Sequence, residues 1–300
     1  MAKTTHFGPV TFINGENRGR YPFCNSIFIE EAGVLIDPAS DRAYLQELHT
    51  EGKVKQIWLS HWHEDHIKHL DIFDDIPLCM HANDTPPLSD SEIFMDWYGF
   101  TEKNHPEIRQ RWNRILKDEF HFKPRQVSSY LEDGMIIDLG STQVEIIHCP
   151  GHSPGNLAFN FIEPEVLFIG DNDLTPFGPW YGDIPSDIDQ ILSSIDRLKK
   201  IPAKVWVAGH EDRIFRENPE KYWEKFAGVI QYRENRLLEY VSQPRTIEEI
   251  ARQWIVYRKP IEPVAEFLNI EKLSMQKHLN RLMEKGRVGV DKNHYYQVNG

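Results

Sequence analysis

The chain has 300 residues, 40% hydrophobic and 27% charged, with a formal charge of −12 at neutral pH. This is the composition of a soluble globular protein, and its acidity argues against a general nucleic-acid binder, whose affinity comes largely from Lys and Arg at phosphates. No apolar run approaches the roughly 18 residues of a membrane span, and "MAKTTHFGPV" offers no secretory signal, so a cytoplasmic location without membrane contact is the expectation. Cys24, Cys79 and Cys149 are odd in number and far apart, which predicts reduced, mostly buried thiols.

In chain order, short apolar runs rich in β-branched and aromatic residues read as strands. They are "GVLIDP" ending at Asp37, "VKQIWLSH" at His61, "VEIIHCPGH" at His152, "VLFIGD" at Asp171 and "VWVAGH" at His210. Each delivers a His or Asp at its C-terminal end, and strands sharing one edge would bring these residues together. Helical patterns alternate with the strands. "HPEIRQRWNRILKDEF" aligns Ile108, Trp112, Ile115 and Leu116, and "SDIDQILSSIDRLKK", capped at Ser186, aligns Ile188, Ile191, Leu192, Ile195 and Leu198. The alternation predicts a layered α/β domain.

Residues 83–133 read as a helical cap whose aromatics either wall a pocket or pack the helices. The loop "PFGPWYGD", 176–183, offers Trp180 and Tyr181 as substrate contacts. Near Gly228 the character changes, which divides the chain into a catalytic domain, 1–228, and a second domain, 229–300. The second domain reads as three helices, the middle one opened by a Thr246–Glu249 capping box, and a hairpin around "DKNH", which is the order of a winged helix. From Gln231 to Gly300 twelve Lys and Arg stand against nine Asp and Glu, and Lys277 and Arg281 are candidates for nucleic-acid contact.

"SHWHEDHIKHL", residues 60–70, packs four histidines and two acidic residues into eleven positions. In an extended segment alternate side chains share a face, so His61 and His63 can grip one ion while Trp62 points away. A helix starting there would splay Asp65 and His66 by about 100° around a second ion. His152 can complete the first site and His210 the second, with Asp171 bridging both; Asp65 and Asp171 are the catalytic carboxylates of this arrangement. Imidazoles with carboxylates suit zinc, with iron or manganese as alternatives.

"HWHEDH", the "GH" at 152, Asp171 and the "GH" at 210, in that order, resemble the metallo-β-lactamase superfamily over roughly residues 10 to 215. The resemblance implies a four-layer αββα sandwich with a dinuclear site at one edge. The full donor set is more similar to glyoxalase II, lactonases and RNA-processing nucleases than to true β-lactamases. "YRENRLLEYV" with "HLNRLMEKGRV" is similar to the winged-helix extension of a glyoxalase II-like branch that includes endoribonucleases. "GHSPGN" and "GDNDLTPFGPWYGD" depart from the best-known members and leave the substrate open. Asp37 matches a family Asp that supports the metal loop from behind, and His148 is a candidate for a similar role.

The expected activity is hydrolysis of a small-molecule ester, thioester or lactone by a metal-bound hydroxide held between two divalent cations. The alternatives are an endoribonuclease acting on single-stranded RNA, a mononuclear iron oxygenase, and a DNA-binding regulator. A homo-oligomer is compatible with each.

Overall fold

The computed structural model describes residues 3–298. Chain order begins with β1 (Thr4–Phe7), β2 (Val10–Ile13), a short helical turn α1 (Glu16–Gly19), β3 (Ser26–Ile29), β4 (Val34–Ile36), α2 (Arg42–Thr50), β5 (Gln56–Trp58) and β6 (Leu78–Met80). Three helices follow, α3 (Thr85–Ser89), α4 (Ser91–Trp97) and α5 (Pro106–Asp118), and then β7 (Ser129–Tyr130), which joins β1–β6 in a seven-stranded sheet of sequential order. The helical insertion is therefore shorter than 83–133, because its last part returns to the sheet.

The second sheet holds β8 (Ile136–Asp138), β9 (Gln143–His148), β10 (Leu157–Phe161), β11 (Val166–Phe168), β12 (Val205–Val207) and β13 (Ile214–Phe215). Between β11 and β12 runs α6 (Ile188–Leu198), which makes that pair parallel. The N-cap of α6 is Asp187, whose side chain accepts from the Gln190 amide, and not Ser186.

Side-chain alternation explains the layers. Ile27, Ile29, Val34, Ile36 and Trp58 face the second sheet and meet Val144, Ile146, Phe159 and Phe168. Their neighbours Phe28, Leu35 and Ile57 face outward and pack with Leu45 and Leu48 of α2. Ile147, Ala158, Leu167 and Trp206 face the other way, under Ile188, Ile191 and Ile195 of α6. The inner strands β2, β3, β4, β6, β10, β11 and β12 are buried on both faces, hence their nearly continuous apolar runs. The result is an αββα sandwich, with the functional strand ends contributed by two stacked sheets and not by one shared sheet edge.

The remainder comprises α7 (Glu220–Tyr240), α8 (Ile247–Ala251), α9 (Val264–Glu284) and the hairpin β14 (Val288–Asp291) with β15 (His294–Gln297). The capping box at Thr246–Glu249 forms, and Lys292 and Asn293 turn the hairpin with both residues at positive φ, as a two-residue turn requires. The expected break at 228/229 falls inside α7, which continues unbroken. Its first half places Trp223, Phe226 and Ile230 against the outer face of the second sheet, and its second half joins Leu237 and Leu238 to Met275, Leu279 and Leu282. Apolar contact on both halves is what holds so long a helix. Among the described residues no helix is long and apolar enough to cross a membrane. The three cysteines are free and buried, and burial pushes the Cys149 thiol up to about 12, so its histidine neighbours do not make it a nucleophile.

Candidate metal centre

The segment after β5 does not coil into an α-helix. His63 and Glu64 start consecutive turns, with the His66 amide donating to the His63 carbonyl at 3.1 Å, and these turns carry Asp65 and His66 beneath His61. The imidazole nitrogens of His61, His63 and His152 form a triangle. His61 Nε2 to His63 Nδ1 is 2.9 Å, His152 Nε2 to His61 Nε2 is 3.1 Å, and His152 Nε2 to His63 Nδ1 is 2.9 Å. A hydrogen bond reconciles two such nitrogens, whereas a shared cation reconciles all three, and ligands about 2.0–2.1 Å from one zinc lie close to this spacing.

The second group is Asp65, His66 and His210, with His210 Nε2 at 3.4 Å from Asp65 Oδ2. Asp171 stands between the groups. Its Oδ2 is 3.4 Å from His152 Nε2 and 3.3 Å from His210 Nε2, and its Oδ1 faces His66 Nε2 at 2.9 Å. His66 Nε2 and Asp171 Oδ1 are both buried and, although 2.9 Å apart, do not meet at an angle that makes a hydrogen bond, so neither atom is satisfied by the other or by any further group. Buried polar atoms are seldom left in this state, and a pair of cations would satisfy both. The seven residues picked from the sequence thus converge, and their donor atoms fit metal.

Electrostatics follows from the crowding. Burial holds His61 well below its ordinary value and brings His152 down to about 4, with His63 adding to the effect. Burial would lower His210 as well, but the Asp171 carboxylate outweighs it and raises the ring to about 10. Burial would raise Asp171, yet His210 and His66 hold it well below the usual carboxylate range.

Each histidine is oriented from behind. Asp37, at positive φ just after β4, accepts from the Ser60 amide and hydroxyl, and its Oδ2 lies 2.9 Å from His66 Nδ1. Asp183 Oδ2 lies 3.0 Å from His63 Nε2, and the Trp180 carbonyl lies 3.1 Å from His152 Nδ1. Such partners fix the tautomer and ring angle of a ligand. The His152 loop is itself pinned by buried Asp84, which accepts from the Ser153 hydroxyl and the Gly155 amide. Gly209, before His210, is required for close approach, because a Cβ there would stand 3.0 Å from Asp171 Oδ1.

Other expectations are corrected. His148 stacks on His81 and bonds to the Pro154 carbonyl, so it braces a loop and orients none of the seven. Tyr181 is buried away from the pocket, its hydroxyl between Arg233 and His278, because neighbouring residues of the loop point opposite ways; Trp180 does line the pocket. Arg281 pairs with Glu234 and Asp189, and Lys277 donates to the Ile184 carbonyl, so both candidates for nucleic-acid contact make internal bonds. Asp183, Ser60 and Asp84 were not singled out from the sequence. Asp183 and Ser60 belong to stretches already marked by the motifs, but Asp84 carries no spacing signal.

Above the donors lies a cavity of about 440 Å³. Tyr98, Phe100 and Trp112 stack in parallel along one side at 6.0 Å between centroids, with Trp180 and Tyr257 on another.

Comparison with known proteins bears on this geometry. Residues 19–210 match the model of the Metallo-beta-lactamase superfamily, a span that contains all seven donors. The chain belongs to that superfamily. Membership implies divalent metal ions at this site. Among its relatives is a probable metallo-hydrolase, YqjP, of Bacillus subtilis, 26% identical over 54% of this chain and 55% of its own. Another is the acyl-coenzyme A thioesterase MBLAC2 of Gallus gallus, 30% identical over 37% of this chain and 39% of its own. The matches thus span about half or less of these relatives. A metallo-beta-lactamase family protein from Thermus thermophilus shares the fold, with a TM-score of 0.67 and 22% identity, covering 96% of this chain and 93% of its own.

Proposed function

We propose that the protein is a dinuclear metal-dependent hydrolase of the glyoxalase II-like type that cleaves a small-molecule ester, thioester or lactone. The observation that carries the reading is the pair of orphaned atoms, His66 Nε2 and Asp171 Oδ1, buried beside a triangle of imidazole nitrogens. In this reading His61, His63 and His152 would hold one ion, Asp65, His66 and His210 would hold the other, and Asp171, which stands between the groups, would serve both. Zinc fits the mixed nitrogen and oxygen donors best, with iron and manganese as the competing occupants. Two such cations supply Lewis acidity and lower the pKa of a water toward about 7.

The chain's own part is positional. Asp37 engages His66 Nδ1 and the Trp180 carbonyl engages His152 Nδ1, so that each Nε2 faces the site, whereas Asp183 engages His63 Nε2 and leaves Nδ1 facing it. The aromatic wall excludes bulk water and strengthens electrostatic interactions inside. A small-molecule substrate agrees with a half-open, mainly apolar cavity, and the thioesterase name of one relative agrees with acyl chemistry. Cleavage of single-stranded RNA has less support, because Arg281 is already paired.

The test is metal analysis with turnover of a thioester and lactone panel, using His61→Ala and Asp171→Ala as blanks. Two ions per chain and hydrolysis, both lost in the variants while circular dichroism is retained, are expected. Full metal content and turnover in either variant would overturn the assignment.

A further inference from the structure

The wall of the cavity farthest from the sheet strands comes from the C-terminal helices. Glu266, Phe267 and Ile270 of α9, with Tyr257 from the segment before it, line the cavity together with Phe100 and Trp112 of the helical insertion. The polar atoms on this wall are matched within the protein. Glu266 accepts from Arg111 and from the Trp112 indole N–H, each within 2.9 Å. The Trp180 indole N–H donates to the Tyr257 hydroxyl at 3.1 Å, and buried Glu64 accepts from both Tyr21 and Tyr98. What remains facing the cavity is ring and methyl surface, with Tyr257 and Phe267 edge to face at 5.3 Å.

The charge pattern narrows the ligand. Arg20 is the one Lys or Arg among the described lining residues; it is 56% exposed and lies 3.6 Å from Glu211, whereas Glu64, Asp65, Asp171, Asp173 and Glu266 also line the space. An anionic group placed against the α9 wall, away from the ions that Asp65 and Asp171 would hold, meets Glu64 and Glu266 and no Lys or Arg among the described lining residues of that wall, so it loses hydration with little compensation. In a thioester the thiol carrier commonly bears the charges, so the half that matches this cavity is the acyl half, with its carbonyl toward the histidines and its carrier left toward solvent.

We infer that the cavity is an acyl-group site for uncharged aromatic or hydrocarbon acyl chains, and that Phe267 and Ile270 of α9 set its depth. The inference rests on the hydrolytic reading for the reaction but on the cavity alone for the binding preference. It gives the C-terminal segment a task in substrate selection. Phe267 is half-buried and tolerates exchange better than Ile270, whose Cγ2 packs against Gly182.

The test compares acetyl, hexanoyl, phenylacetyl and succinyl thioesters of one thiol with the metal-loaded enzyme. A companion measurement follows quenching of tryptophan emission by phenylacetamide in metal-free protein. Each buried methylene is worth about fourfold in affinity, so hexanoyl and phenylacetyl substrates should exceed acetyl by at least about tenfold in kcat/KM, with succinyl the poorest. Phe267→Ala should move the optimum to longer chains and Phe267→Trp to shorter ones, and Phe267→Trp should weaken phenylacetamide binding. Equal turnover of all four thioesters, or an unmoved optimum in both variants, would overturn the inference. Phenylacetamide binding with no hydrolysis of any thioester would support the acyl site and sink the hydrolytic reading; absence of both binding and hydrolysis would sink the two together.

Discussion

The metal end and the C-terminal helices treat their polar groups in opposite ways. Around Asp171, donors crowd within hydrogen-bond distance and two buried atoms still lack partners. Between α7, α9 and the 176–183 loop, buried Arg233 donates to the Pro179 and Phe177 carbonyls and to Tyr181, and Arg281 pairs with Glu234. The first arrangement requires something from outside the chain; the second is complete for its charged groups, with His278 Nδ1 a buried atom it leaves over. Yet they are connected, since the loop that Arg233 grips carries the Trp180 carbonyl behind His152 and Asp183 behind His63.

That contrast can be broken most sharply at Asp171. Asp171→Ala should lower turnover by more than about 100-fold, beyond the range expected for partners behind the ligands, and should lower the melting temperature of metal-free protein, in which the carboxylate is paired with His210 and His66; a metal titration with steady-state kinetics decides it. Asp183→Ala should weaken the metal by about 10–100-fold with the fold intact, read by chelator competition. Unchanged affinity would detach Asp183 from the site.

On the complete side, Arg233→Met strands two buried carbonyls and should cost about 2–3 kcal/mol by denaturant unfolding, with a smaller secondary loss of metal affinity through the loop. Asp84 gives a pH signature. Burial pushes its carboxyl up to about 7 against the pull of Ser153 and Gly155, whereas the unfolded chain titrates near 4. The folded state therefore keeps a proton that the unfolded state has lost, and the stabilisation, full below about pH 4, declines as pH rises to about 7. Melting curves of Asp84→Asn should lack that slope relative to the parent. The smallest effect belongs to Thr246→Ala, about 1 kcal/mol from a lost helix cap, with metal content unchanged.

The donor set was legible because its chemistry is local. Four of the seven lie within His61–His66, and the others close short apolar strands, so spacing and strand ends sufficed. The layered fold was legible for the same reason, since strands buried on both faces leave uninterrupted apolar runs. What the sequence concealed works through single hydrogen bonds across long separations. Asp183 reaches His63 over 120 positions, and Asp84 reaches Ser153 over 69. Ser186 and Asp187 are both good caps, and the choice follows from burying Ile188, which only the packed sheet decides. The charge of Lys277 and Arg281 read as a surface, but their partners, the Ile184 carbonyl for Lys277 and Asp189 with Glu234 for Arg281, sit in distant segments.

The unbroken course of α7 also governs how this molecule can be cut. A fusion, truncation or module exchange made at residue 228 would sever a helix mid-length, leaving one frayed end tied to the second sheet by Trp223 and Phe226 and another tied to α9 by Leu237 and Leu238. A seam ahead of Pro219 keeps the helix whole but strips Trp223 and Phe226 from the second sheet, so an engineered recombinant has to carry the sheet and the C-terminal helices together.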